Sequence, residues 1–225
     1  MKTFTEYSAE GDLLEDFLED ILSSTPASYR RIRVVDGDLT EQHNGDFFLE
    51  KAGVYLECKH DLLAAKSGNA YLEVGEVRNG RAPKDPFSIQ PVGVFKQAAK
   101  KPTVFVHQVG PDLFLVYSAR KMARALLSCP RECRWVETAD AKAGRLDKHN
   151  LGVLLGRITS TNVDLIGTIH RADAGSILEC LRAAVRDELA EASLSERALI
   201  SAVRAFSREE AWREKGWHQY SYVVK

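Results

Sequence analysis

Hydrophobic positions in this chain recur at two spacings, and the switches between them mark its elements. From Ala9 to Ser23, Leu14, Phe17, Leu18, Ile21 and Leu22 follow the helical period with Asp and Glu between them, which predicts an amphipathic helix closed by Pro26. Tyr29 to Val35 then predicts a strand carrying Arg30, Arg31 and Arg33. A polar turn over Asp36 to Asn44 leads into two short strands, Asp46–Glu50 and Val54–Lys59, joined tightly through Lys51-Ala52-Gly53. Ala64 to Gly68 reads as a loop. Asn69 to Gly75 is a further strand, with Tyr71 and Glu73 on one face and Leu72 and Val74 on the other. Asn79-Gly80 and Pro83 to Pro86 mark a long loop bearing Arg78, Arg81 and Lys84.

The second half begins with a short helix over Val92 to Lys101, with Lys96, Lys100 and Lys101 toward its C-terminal end, where cations suit the helix dipole. Val104-Phe105-Val106 and Leu113 to Tyr117 are apolar strands joined through Gly110-Pro111, and Ser118 to Ser128 returns to helix. Past Pro130 the pattern weakens, and only Leu151 to Leu155 stands out as a strand. From Ala172 helices take over: Ile177 to Ala192, a second opened by the capping pattern Ser193-x-x-Glu196, and a third opened by Ser207-x-x-Glu210. This order predicts an α/β sandwich around a mixed central sheet flanked by helices, with a helical C-terminal extension. It divides into a core over residues 1–130, a less defined core extension over 131–171, and the extension over 172–225. The extension either packs on the core or serves self-association, as in a homodimer.

Composition narrows the function classes only slightly. The chain has 225 residues, 44% of them hydrophobic and 28% charged, as in ordinary globular proteins. Lys plus Arg number 31 against 32 Asp plus Glu, so the net charge of -1 gives no general attraction for nucleic acid, and any such contact must rest on local patches. No apolar run reaches the roughly 20 residues that cross a bilayer, and the acidic N-terminal stretch is unlike a signal sequence, so a cytoplasmic location is expected. Cys58, Cys129, Cys133 and Cys180 form neither a zinc knuckle nor a disulfide framework. The six histidines are scattered without paired metal spacing, although His43 lies close to Asp46 in sequence.

The chemistry concentrates between Gly45 and Lys59. On the strand VYLECK, alternation puts Tyr55, Glu57 and Lys59 on one face and Val54, Leu56 and Cys58 on the other. The same alternation makes Cys58 a core-facing, inert thiol rather than a nucleophile activated by His60. Gly45-Asp46, a turn, and then Glu57-Cys58-Lys59 resembles the signature of the PD-(D/E)xK, restriction-endonuclease-like nuclease superfamily, and the following Lys66 to Glu73 resembles phage nuclease-like proteins. The chain departs from the name pattern in having Asn44-Gly45 rather than a proline before Asp46.

That resemblance implies a restriction-endonuclease-like core and a metal-dependent endonuclease that hydrolyses phosphodiester bonds in DNA. Asp46 and Glu57 would hold Mg²⁺ or Mn²⁺ together with the Cys58 carbonyl. Lys59 would orient the attacking water or neutralise developing charge, and a helix glutamate, Glu15 with Glu10 and Glu19 as rivals, would complete the site. Glu73 would be a further acidic group nearby. Two readings from other classes remain. In the first, the fold persists as an inactive binding or regulatory module of a phage or defence system, with Glu57 and Lys59 a surface ion pair of little energetic weight. In the second, the chain is a protein-interaction domain, for which absence of salt-sensitive DNA binding would speak. Trp212 and Trp217 suit either base stacking or packing of the tail.

Overall fold

A computed structural model describes residues 4–32, 45–61, 63–78, 90–128, 134–142, 145–155 and 168–206. Helix α1 (Phe4–Ser23) begins earlier than the periodicity indicates. It is followed by strands β1 (Tyr29–Arg31), β2 (Phe47–Leu49) and β3 (Val54–His60). After a one-turn helix α2 (Ala64–Ser67) come β4 (Ala70–Arg78), β5 (Gln90–Pro91), α3 (Gly93–Lys100), β6 (Thr103–Gly110), β7 (Leu113–Ser118) and α4 (Ala119–Ser128). The chain continues with β8 (Arg134–Lys142), β9 (Arg145–Leu155), β10 (Ile169–Ala172), α5 (Ile177–Ala190) and α6 (Glu196–Phe206).

The strands form two sheets. The central one is mixed, with six strands in the order β1-β2-β3-β6-β7-β10; β3 and β6 are parallel and every other neighbouring pair is antiparallel. A second, antiparallel sheet of order β5-β4-β9-β8 covers part of it, where the sequence indicated one sheet only. One core layer lies between the central sheet and helices α1 and α5. There Leu14, Leu18 and Leu22 meet Phe47, Val54, Leu56, Val104 and Val106, and α5 adds Ile177, Leu181 and Ala184. The other layer joins Phe105, Leu115 and Tyr117 to Leu72, Val74, Leu151 and Val153 of the second sheet and to α3, α4 and α6.

Local chemistry explains the boundaries. Gly53, at a positive φ of 66°, closes the β2–β3 turn and donates to Leu49 O at 2.8 Å. The stretch read as a loop at Ala64 to Gly68 is instead a helical turn, because Asp61 Oδ1 accepts from the Leu63 and Ala64 amides at 3.1 and 2.9 Å. Gly68, left-handed at φ 70°, ends that turn. The long β8–β9 hairpin and the short β10 were not legible, whereas Leu151 to Leu155 does lie in β9. Helix α6 starts at Glu196, so Ser193 lies outside it and the expected capping box does not form. Residues 33–44 and 79–89, with most of the expected long loop, the Cys129 and Cys133 stretch, the expected third C-terminal helix and both Trp212 and Trp217 lie outside the described residues.

Candidate functional site

The site is built at the start of β2 and along β3. Gly45 precedes β2 at φ 80°, a conformation that side chains resist, and a Cβ there would stand 2.7 Å from Leu56 O. The glycine thus lets the chain close against β3. Asp46 N then donates to Leu56 O at 2.7 Å, and Asp46 O accepts from Ile32 N at 2.8 Å. The β2–β3 register ends at the Phe47–Leu56 pair, so Asp46 stands just beyond the ladder.

The side chains meet as follows. Asp46 Oδ2 accepts a hydrogen bond from Cys58 N at 2.5 Å, so its carboxylate is tied to the backbone between Glu57 and Lys59. Glu57 Oε1 lies 2.6 Å from Lys59 Nζ. Glu57 is largely covered, at 18% exposure, while Lys59 keeps 47% and reaches solvent. Glu15, at 24%, pairs with Arg31 at 3.0 Å, and Arg31 Nη1 also meets Asp16 and Glu19, each at 2.6 Å. Glu15 also acts electrostatically on Asp46 and Cys58, which favours it over Glu19 as the helix glutamate of this cluster. The side chain of Glu10 lies outside the described residues.

Charge is compressed at this point. Burial, and after it the charge of Glu57, pushes the Asp46 carboxyl up to about 7; Glu15 adds to the rise, and the Cys58 N–H bond and Lys59 offset only part of it. Burial works against the Lys59 charge, but Glu57, Asp46 and Glu73 outweigh it and hold the ammonium above its ordinary range. The Lys59 interaction also brings Glu73, on the second sheet, into electrostatic range of the cluster. Burial first, and then Asp46, Glu15 and Glu57, push the Cys58 thiol well above its ordinary value, and its side chain packs against the α1 layer. Cys58 therefore faces the α1 layer, as alternation indicated, and its raised pKa disfavours the thiolate.

Other candidates separate from the cluster. Asp61 is a structural cap: besides the two amides of α2, its Oδ2 accepts from Tyr71 N at 2.9 Å. Buried His107 lies 3.7 Å from that carboxylate, and Tyr117 OH is 3.5 Å from His107 Nδ1. His43 lies outside the described residues.

Two contributors were not singled out from the sequence. Arg31 clamps the acidic side of α1 to β1, and Lys101 stands with Nζ 4.4 Å over the Tyr55 ring. Both contacts join residues from separate elements, and only the local clustering of cations hinted at them.

The donor chemistry suits a hard divalent cation. Among the described residues no group of three or more His, Cys, Asp or Glu side chains forms a metal cage. The oxygen donors the cluster could offer a divalent cation are the carboxylates of Asp46 and Glu57. In comparisons with family models, curated proteins and solved structures, nothing matches this chain.

Proposed function

We propose that the chain is a metal-dependent endonuclease acting on phosphodiester bonds in DNA, on a restriction-endonuclease-like core. The observation that carries this reading is the hydrogen bond from Cys58 N to Asp46 Oδ2, 2.5 Å long. It fixes Asp46 beside Glu57, whose other neighbour, Lys59, is 2.6 Å away. An acid, a second acid and a solvent-reaching ammonium thus gather in a few ångströms of strand. The mixed sheet, with α1 on one face and a parallel β3–β6 pair at its centre, supports the same reading.

Asp46 and Glu57 would hold Mg²⁺ or Mn²⁺, with the Cys58 carbonyl as a further oxygen donor. The ion, when bound, supplies Lewis-acid activation of water and of the phosphate. The chain's own groups do the rest. Glu57 positions the Lys59 ammonium, which donates hydrogen bonds to a non-bridging phosphate oxygen as negative charge builds there. Glu15 and its Arg31 partner brace α1 against the site. Water adds to phosphorus and gives up a proton to solvent, while the bond to the leaving oxygen breaks and that oxygen takes up a proton from solvent to leave as an alcohol.

A second reading, the inactive binding module, is favoured by one feature: the direct Glu57–Lys59 contact is also what a simple ion pair would give. Isothermal calorimetry with Mn²⁺ and plasmid nicking on gels separate the two. The nuclease reading expects both metal binding and nicking, and loss of both in Asp46→Ala. Wild-type protein that binds no Mn²⁺ and nicks nothing would refute it.

A further inference from the structure

The sheet face that carries Glu57 and Lys59 continues into a row that the proposed hydrolysis does not use. Register pairs Arg30 with Phe48 and Phe48 with Tyr55, so all three project from one side of the sheet. Tyr55 shares that side with Glu57 by strand alternation. Phe48 and Tyr55 contact each other with ring centroids 4.7 Å apart and planes tilted by 39°. Both rings stay partly accessible and Arg30 is exposed. Lys101 adds its ammonium 4.4 Å over the Tyr55 ring. Burial, then Lys100 and Lys96, lower the Lys101 pKa while Glu57 opposes them, so all these charges lie within reach of one another.

Two partly open aromatic rings between two cations, two residues along the strands from a candidate phosphodiesterase centre, are complementary to a nucleotide. A base offers a flat π face to the rings, and flanking phosphates offer charge to Arg30 and Lys101. Bases inside a duplex stack on each other and present only their edges, so this row is of use to a strand whose bases are unpaired. We propose that the Arg30–Phe48–Tyr55–Lys101 surface seats an unpaired nucleotide of single-stranded DNA beside the scissile phosphate. The proposal rests on the nuclease reading for the position of that phosphate, whereas the binding itself requires no cleavage.

The test uses the full chain and fluorescence anisotropy in EDTA, with a labelled DNA oligonucleotide, its duplex, and RNA of the same sequence. Tyr55→Leu should weaken single-strand binding by about tenfold, within the range for loss of one stacked base. Tyr55→Phe should retain binding, and duplex binding should be weaker than single-strand binding in every variant. Arg30→Gln, at an exposed position with little bearing on folding, should lower the salt slope of single-strand binding by about 0.7, the share of one phosphate. Equal single-strand binding by wild type, Tyr55→Leu and Arg30→Gln would overturn the proposal, as would tighter binding of the duplex or of RNA. Digestion of the same oligonucleotide with Mn²⁺ keeps the two readings apart. Tyr55-dependent binding without cleavage supports the seat and removes the nuclease. Cleavage with Tyr55-independent binding does the reverse.

Discussion

Replacing Asp46 by Asn should make the metal-free protein more stable at alkaline pH. Burial, and next the Glu57 charge, raise the Asp46 carboxyl from 3.8 to about 7 in the folded state. A carboxyl that holds its proton more tightly when folded contributes stability in full below the unfolded value, near 4. That contribution is lost as pH rises through about 7. The gap of about three pH units sets an upper bound of about 4 kcal/mol. Asp46 keeps some access to water, so about 2 kcal/mol is the expected size. Asn keeps a carbonyl oxygen for the Cys58 amide and carries no charge at any pH. In urea unfolding with EDTA, the variant and wild type should therefore coincide at about pH 4 and diverge by about 2 kcal/mol at about pH 8, the variant being more stable. Adding Mn²⁺ should then stabilise the wild type and leave the variant unmoved. An Asn variant less stable than wild type at about pH 8 would refute the reasoning, because Asp46 would then be a structural group rather than one retained for binding at a cost in stability.

Three further outcomes are expected. Burial, against the pull of Asp61, lowers His107 to about 4, so the unfolded chain takes up a proton that the folded one refuses. Stability should thus fall as pH drops from about 6.5 to about 4, and His107→Gln, followed by urea unfolding in the Asp46→Asn background, should flatten that slope. Glu188→Ala should cost about 3 kcal/mol or more in thermal unfolding. The fully buried carboxylate accepts from Thr103 N, Ser118 Oγ and Arg120 N at 3.1, 2.6 and 3.0 Å and pairs with Arg120 Nε at 3.2 Å. Lys59→Ala should change stability by no more than about 1 kcal/mol and spare Mn²⁺ binding while abolishing most plasmid nicking. Nicking at the wild-type rate would remove Lys59 from the mechanism.

Sequence patterns showed the elements whose evidence is local. Leu14, Leu18 and Leu22 are buried as their spacing indicated, and Leu72 and Val74 turn inward while Tyr71 and Glu73 stay partly open. What stayed hidden depends on partners far along the chain. Arg134 to Lys142 is a mostly polar run, and it is a strand because β9 pairs with it from Leu154 back to Arg145. Asp61 follows β3 with no local pattern around it, and its role emerges only with Tyr71 N placed beside its second oxygen. Arg31 gave no sign of gripping Glu15, Asp16 and Glu19, because strand pairing and helix packing first have to bring β1 under α1.

The same contrast explains why the candidate site lies where it does. In β6 and β7 nearly every residue is buried, including His107 and Tyr117, because α1 and α5 cover one face and the second sheet with α4 covers the other. Strands buried on both faces read as continuous apolar runs, and TVFV and LFLVY do so. In β1 to β3 burial alternates instead: Phe47, Val54 and Leu56 sit under α1, while Arg30, Phe48, Tyr55, Glu57 and Lys59 occupy the opposite side. Charged groups can stand on that side only because the second sheet does not seal it, since an ion enclosed there without water or a partner would cost several kcal/mol. The alternation in VYLECK therefore carries two messages at once. It orients the strand, and it marks the side of the sheet on which Lys59 keeps its access to water.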